Sequence, residues 1–130
     1  EKFDRIMDRR KELANRYGDL LADVDGVRPP HVPDAAEHTY GSYCAYVDAG
    51  DEDTRDAIMD RMDDADIETQ IGTYALHLTP AFEDARRVGS LDGAEALYHN
   101  LLTLPMEDSM TDADQRRVVE ALETSIAAEA

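Results

Sequence analysis

The chain has 130 residues and a formal net charge of −17, from 30 Asp plus Glu against 13 Lys plus Arg. That length suits one compact domain, and 42% hydrophobic residues can build its core, which excludes wholesale disorder. A surface this acidic repels phosphate backbones and anionic bilayers, so nucleic-acid and membrane-surface roles are excluded.

No apolar run approaches the ~20 residues of a spanning helix, and no basic, apolar, small-residue leader opens the chain. The single cysteine, Cys44, excludes an internal disulfide and fits a cytoplasmic chain. The first residue is Glu1, which points to a piece of a longer protein. Within the charge stand 19 Asp to 11 Glu, and 2 Lys (Lys2, Lys11) to 11 Arg. Short, strongly hydrated Asp in place of long-stemmed Lys suits a protein working in molar salt, where a Debye length of about 3 Å screens the repulsion. A halophilic protein is the expectation.

Phe3, Ile6, Met7, Leu13, Ala14, Tyr17, Leu20, Leu21 and Val24 recur at helical spacing, predicting one long amphipathic helix over 2–23. Asp25-Gly26 ends it, Val27-Arg28 begins an extended piece, and Pro29-Pro30-His31-Val32-Pro33 is a rigid connector. His38 to Val47 does not alternate cleanly with polar residues, as in a central strand covered on both faces. A turn follows, then a helix capped at Asp53 or Thr54 with Ile58, Met59 and Met62 as its buried stripe. Ile67–Ile71 alternates as a short strand that Gly72 breaks. Tyr74–Phe82 reads as mixed loop or short helix. Asp92 caps a helix over Ala94, Leu97, Tyr98 and Leu101, and Leu104-Pro105 ends an extended stretch. Thr111-Asp-Ala-Asp114 has capping-box form and opens a last helix lined by Val118, Val119, Leu122 and Ile126. The order implies a small α/β sandwich: an antiparallel or mixed sheet flanked by helices, with 1–130 as a single domain.

Residues 48–66 hold nine acids and two arginines, Arg55 and Arg61. No calcium-loop spacing is met, so the stretch reads as a solvated helix face. His31, His38, His77 and His99 match no zinc pattern, and no metal site is expected. Cys44, mid-strand, lacks the exposure and activating partner of a nucleophile. No serine lies in a nucleophile elbow, no Gly-rich loop cradles phosphate, and both lysines lie in the first helix, away from any desolvated pocket. On chemistry alone this is a non-catalytic α/β domain.

Four strings add to that reading: Arg9-Arg10-Lys-Glu-Leu-Ala-Asn-Arg-Tyr17, His38-Thr-Tyr-Gly-Ser-Tyr43, Thr69-Gln-Ile-Gly-Thr-Tyr-Ala-Leu-His77-Leu-Thr-Pro-Ala-Phe82, and Leu102-Thr-Leu-Pro-Met106 with Met110-Thr-x-x-Asp114 behind it. In this order and spacing, over about residues 5–127, they resemble the C-terminal portion of the DegT/DnrJ/StrS sugar aminotransferases. The resemblance implies the small domain of the aspartate-aminotransferase fold. It implies a missing N-terminal large domain that binds pyridoxal phosphate as a lysine Schiff base, with no cofactor in this fragment and no catalytic residue of its own. It also implies a homodimer in the full-length form, which transfers an amino group from glutamate to a nucleotide-linked keto-sugar.

Carried over position by position, the resemblance implies substrate contacts at His77, Tyr74 and Tyr40. Many members carry a His-aromatic pair where this chain has Gly72-Thr73, and often Gln at the Gly41 position. Phe3, Ile6 and Tyr17 are expected to face the missing domain, and the acid of 48–66 to lie away from Tyr74 and His77. The alternative function is a free-standing interaction or regulatory module that kept the small-domain fold.

Overall fold

The computed structural model describes residues 1–129. Four helices and four short strands follow in the order α1 (Lys2–Leu21), β1 (Val27–Arg28), β2 (Tyr43–Val47), α2 (Glu52–Asp64), β3 (Gln70–Ile71), α3 (Asp92–Asn100), β4 (Leu101–Leu104) and α4 (Asp112–Ala127). The strands form one antiparallel sheet in the order β1-β2-β4-β3. This is the small α/β layer architecture that the periodicity predicted.

The core lies between one sheet face and three helices. Tyr43, Ala45, Val47, Leu102 and Leu104 point from β2 and β4 into a cluster with Leu13, Ala14, Tyr17 and Leu21 of α1, Ile58 and Met62 of α2, and Val118, Val119 and Leu122 of α4. The central strand β2 is therefore flanked on both edges but not covered on both faces. Its alternate residues Cys44 and Tyr46 are half-buried, opposite Thr103 and Leu101 of β4. Tyr46 carries the Arg28 guanidinium 4.1 Å above its ring, which explains its apolar face without a second helical layer.

The stripe of α1 is buried only in its C-terminal half. Phe3 stays 69% exposed, while Tyr17 packs 4.9 Å from Tyr43 and donates its hydroxyl to the Pro105 carbonyl at 2.6 Å. Tyr17 thus belongs to this chain's own core rather than to an outward face.

Local capping sets the other boundaries. Asp51, not Asp53 or Thr54, caps α2 by accepting from the Thr54 amide at 2.8 Å. These bonds, first of all that of the Thr54 amide, hold the Asp51 carboxyl below its ordinary range. Helix α3 begins at Asp92, with Leu91 as its cap residue and the Ser90 hydroxyl accepting from the Asp92 amide. It ends one residue early, because Leu101 turns extended to open β4. Thr111 and Asp114 close the reciprocal capping box of α4. Gln115 of α4, fully buried, donates to the Leu13 carbonyl at 2.9 Å and ties α4 to α1.

Candidate functional site

The segment between β3 and α3 carries the two resemblance-implied residues Tyr74 and His77. Its entry is fixed by a close backbone approach: the Gly72 amide donates to the Leu101 carbonyl at 2.8 Å, and a Cβ on Gly72 would stand 2.6 Å from the Leu101 Cβ. Only glycine fits there. The chain then winds through two single 3-10 turns, Leu76–Leu78 and Pro80–Phe82.

His77 lies 10% exposed, with its Nε2 2.8 Å from the Glu95 carboxylate on α3. Its backbone carbonyl accepts from Arg87 at 2.8 Å. A cavity of about 200 Å³ opens beside it, lined by Leu76, Phe82, Arg86, Val88 and Leu91. Around it, Tyr74, Leu76, Leu78, Phe82 and Val88 leave much of their apolar surface in water.

Tyr74 is 61% exposed, and its ring lies 6.1 Å from that of Tyr98 on α3. Behind Tyr98 stands Arg55, the residue that composition placed on a solvated face. It is 2% exposed, lies 4.7 Å over the Tyr98 ring, and donates to the Tyr98 carbonyl at 2.6 Å and to Asp56 at 2.7 Å. The Tyr98 hydroxyl donates to Glu52 at 3.0 Å. The sequence predicted the acidic stretch to lie away from Tyr74, but its N-terminal end is bound through Glu52 to the Tyr98 ring beside it. Arg86 and Arg87 place two cations near His77 on the other flank.

Tyr40 sits elsewhere. Its backbone is left-handed at φ 48°, its amide donates to His38 Nδ1 at 2.8 Å, and its carbonyl accepts from Arg10 at 2.9 Å. Its ring stacks 6.3 Å from Tyr43 above a cavity of about 300 Å³ between α1 and Pro29-Pro30. Burial pushes the Tyr43 hydroxyl far up from its usual range, with the Tyr40 ring adding to it. Tyr43 pairs with Leu104 at one end of β4, whereas Gly72 is tied to Leu101 at the other. The strand between them spans about 10 Å. One chain thus brings Tyr74 and His77 into one region and leaves Tyr40 at the opposite end of the sheet.

Sequence reasoning did not find Glu95, Tyr98, Arg87 or Arg55. Eighteen residues separate His77 from Glu95 and 43 separate Arg55 from Tyr98, so no local spacing announces either contact. The arrangement suits binding. An imidazole held by a carboxylate, an aromatic face and two guanidinium groups can orient a ligand. Among the described residues, Cys44 meets the Thr103 hydroxyl at 3.5 Å and the Ser42 hydroxyl at 3.8 Å, neither of them a base that would activate it. Among the described residues, no group of three or more His, Cys, Asp or Glu side chains is placed to hold a metal ion. Among the described residues, no helix is long and apolar enough to cross a membrane.

Residues 1–123 match the model of the DegT/DnrJ/EryC1/StrS aminotransferase family. The chain is 32% identical over 126 residues to the dTDP-4-dehydro-2,3,6-trideoxy-D-glucose 4-aminotransferase of Saccharopolyspora spinosa, covering 96% of this chain and 31% of that protein. Among solved structures, it is 33% identical to the aminotransferase TlmJ from Streptoalloteichus hindustanus, with a TM-score of 0.78 over 95% of this chain and 32% of that one. A sugar aminotransferase from Streptococcus pneumoniae in its PMP-form, 21% identical, shares the fold at a TM-score of 0.86 over 96% of this chain and 32% of that one. The chain spans about a third of the length of the relatives it matches.

Proposed function

Because the chain belongs to the DegT/DnrJ/EryC1/StrS aminotransferase family, we propose that it is the C-terminal small domain, 1–130, of a cytoplasmic, homodimeric, pyridoxal-phosphate-dependent sugar aminotransferase. The reaction proposed for the whole protein moves an amino group from glutamate to a nucleotide-linked keto-sugar. It releases 2-oxoglutarate and an amino sugar. The observation that carries this reading is the match over nearly all of the chain to one third of sugar aminotransferases, in both sequence and fold.

Pyridoxal phosphate in such an enzyme is anchored as a Schiff base on a lysine that needs a desolvated pocket. Lys2 is exposed, and Lys11 stands 41% exposed, 3.9 Å from Glu37. Neither residue fits that anchor, so the cofactor is assigned to a large domain outside this chain. The small domain supplies binding and positioning. His77 and Tyr74 are proposed as one substrate contact on the β3–α3 segment. Tyr40, at the far end of β2, is proposed as a separate one.

The test uses the full-length protein loaded with cofactor. His77→Ala should lower kcat/KM for the nucleotide sugar about tenfold, the worth of one hydrogen bond made to the ligand. An unchanged kcat/KM removes His77 from the site. A wild-type protein that forms no 2-oxoglutarate from glutamate with any nucleotide-linked keto-sugar overturns the aminotransferase reading.

A further inference from the structure

We infer that Glu95 is a positioning residue that fixes the His77 ring so that its Nδ1 lone pair reads a hydroxyl of the sugar rather than an oxygen of the phosphates. This rests on the proposed substrate contact at His77.

A carboxylate only accepts hydrogen bonds. Its contact with Nε2 at 2.8 Å therefore places the ring proton on Nε2. In the neutral ring, Nδ1 is then an acceptor. The buried side-chain atoms without a partner among the described residues are the Tyr43 hydroxyl and His99 Nδ1. Nδ1 of His77 has no hydrogen-bond partner among the described residues, on a side chain that is 10% exposed. A lone pair facing a ligand attracts an O–H or N–H donor and repels a phosphate oxygen. Recognition of the diphosphate would need the opposite polarity at this atom.

The helix that carries the carboxylate is held in place from behind. Helix α3 is clamped to α2 through Arg55 and the Tyr98 carbonyl at 2.6 Å, and through Tyr98 and Glu52 at 3.0 Å. At its C-terminal end, Asn100 accepts from the Gly50 amide at 2.8 Å and donates to the Ala96 carbonyl at 2.8 Å. On the other side, Arg87 holds the His77 carbonyl. The backbone that carries each partner is therefore anchored independently of any ligand, and each side chain is held by the other. This is how a hydrogen-bonding group is pre-organised at low entropic cost.

The experiment has two readouts. Long-range proton–nitrogen spectra of the chain at mildly alkaline pH, with His77→Gln to assign the signal, should show the His77 proton on Nε2 and slow to exchange. Glu95→Ala should speed that exchange about tenfold, the loss of one hydrogen bond to a charged group near the surface. Glu95→Gln, whose side-chain oxygen still accepts, should recover part of it. A proton found on Nδ1, or exchange unaltered by Glu95→Ala, overturns the inference.

In the cofactor-loaded full-length enzyme, Glu95→Ala should raise KM for the nucleotide sugar while the Kd of the nucleoside diphosphate alone stays within twofold. Equal losses for both would mean that His77 reads the phosphates, and would overturn the inference with the aminotransferase reading intact. A wild-type enzyme without transamination would sink that reading instead, while the spectra still judge the tautomer.

Discussion

Adding one methyl group at Gly72 tests the packing that delivers the candidate site. In Gly72→Ala, the new Cβ would stand 2.6 Å from the Leu101 Cβ and 3.2 Å from the Leu101 carbonyl carbon and oxygen. Carbon atoms pack comfortably at about 3.5–4.0 Å, so roughly 1 Å must be found. The obstacle is a Cβ and main chain, not the end of a flexible side chain, and separating the strands would stretch the 2.8 Å bond from the Gly72 amide to Leu101. Overpacking of this kind costs about 1–3 kcal/mol, from which the stiffer unfolded chain returns about 0.4–1 kcal/mol. A net loss of about 1–2 kcal/mol lowers the melting temperature of a chain this size by about 4–8 °C. Gly18→Ala is the control. Outside its chain neighbours and its own helix backbone, no atom lies within 4 Å of a Cβ built there, in the last turn of α1. The helix-propensity gain, at most about 0.8–1 kcal/mol so near the helix end, should raise the melting temperature by up to about 3–4 °C. Thermal melts by circular dichroism measure both. A Gly72→Ala protein that melts at or above the wild type would refute the steric reasoning.

The two core tyrosines should respond oppositely to loss of the hydroxyl. Tyr17→Phe loses the bond to Pro105 and should destabilise by about 1 kcal/mol, whereas Tyr43→Phe removes a buried hydroxyl with no partner among the described residues and should be neutral or stabilising, as denaturant melts will show. Acid should act partly through Asp114. Hydrogen bonds from Thr111, first of all its side chain, hold that carboxyl below its ordinary 3.8, so the stability it contributes is present above that pH and is lost as pH falls through the lowered value. Asp114→Asn should flatten the fall in melting temperature from about pH 5 down to about pH 2. The net charge of −17 should make stability rise from low to molar KCl as repulsion is screened, and a melting temperature indifferent to KCl would remove the halophilic expectation.

The helices were legible because their signals are local. The Thr111–Asp114 box, the Leu13–Leu21 spacing and the Ile58–Met62 stripe each sit within two turns of chain, and each proved buried or capped as read. Strand edges were less so. Leu101–Leu104 looked like the tail of one helix and a short extended stretch, yet β4 pairs with both β2 and β3 and lies in the middle of the sheet. Its identity comes from partners more than 30 residues away, which no window along the chain contains. Phe3 kept the helical rhythm but stays 69% exposed. Arg55 broke the expectation of a solvated face because the Tyr98 ring and carbonyl offered it bonds that water would otherwise supply.

Composition and local pattern by themselves determined the acidity, the helical segments, the caps, and the order of motifs that marks the family. Hydrogen bonds within a turn, side-chain period and net charge all act over a few residues, so they are written directly in the chain. Tertiary structure alone decided that His77 meets Glu95, that Tyr98 joins Tyr74 to Arg55, and that Tyr40 lies at the opposite end of the sheet. Those placements depend on which strand edges pair and on a backbone approach at Gly72 that tolerates no side chain. They exist only once burying the common apolar face has brought distant segments together.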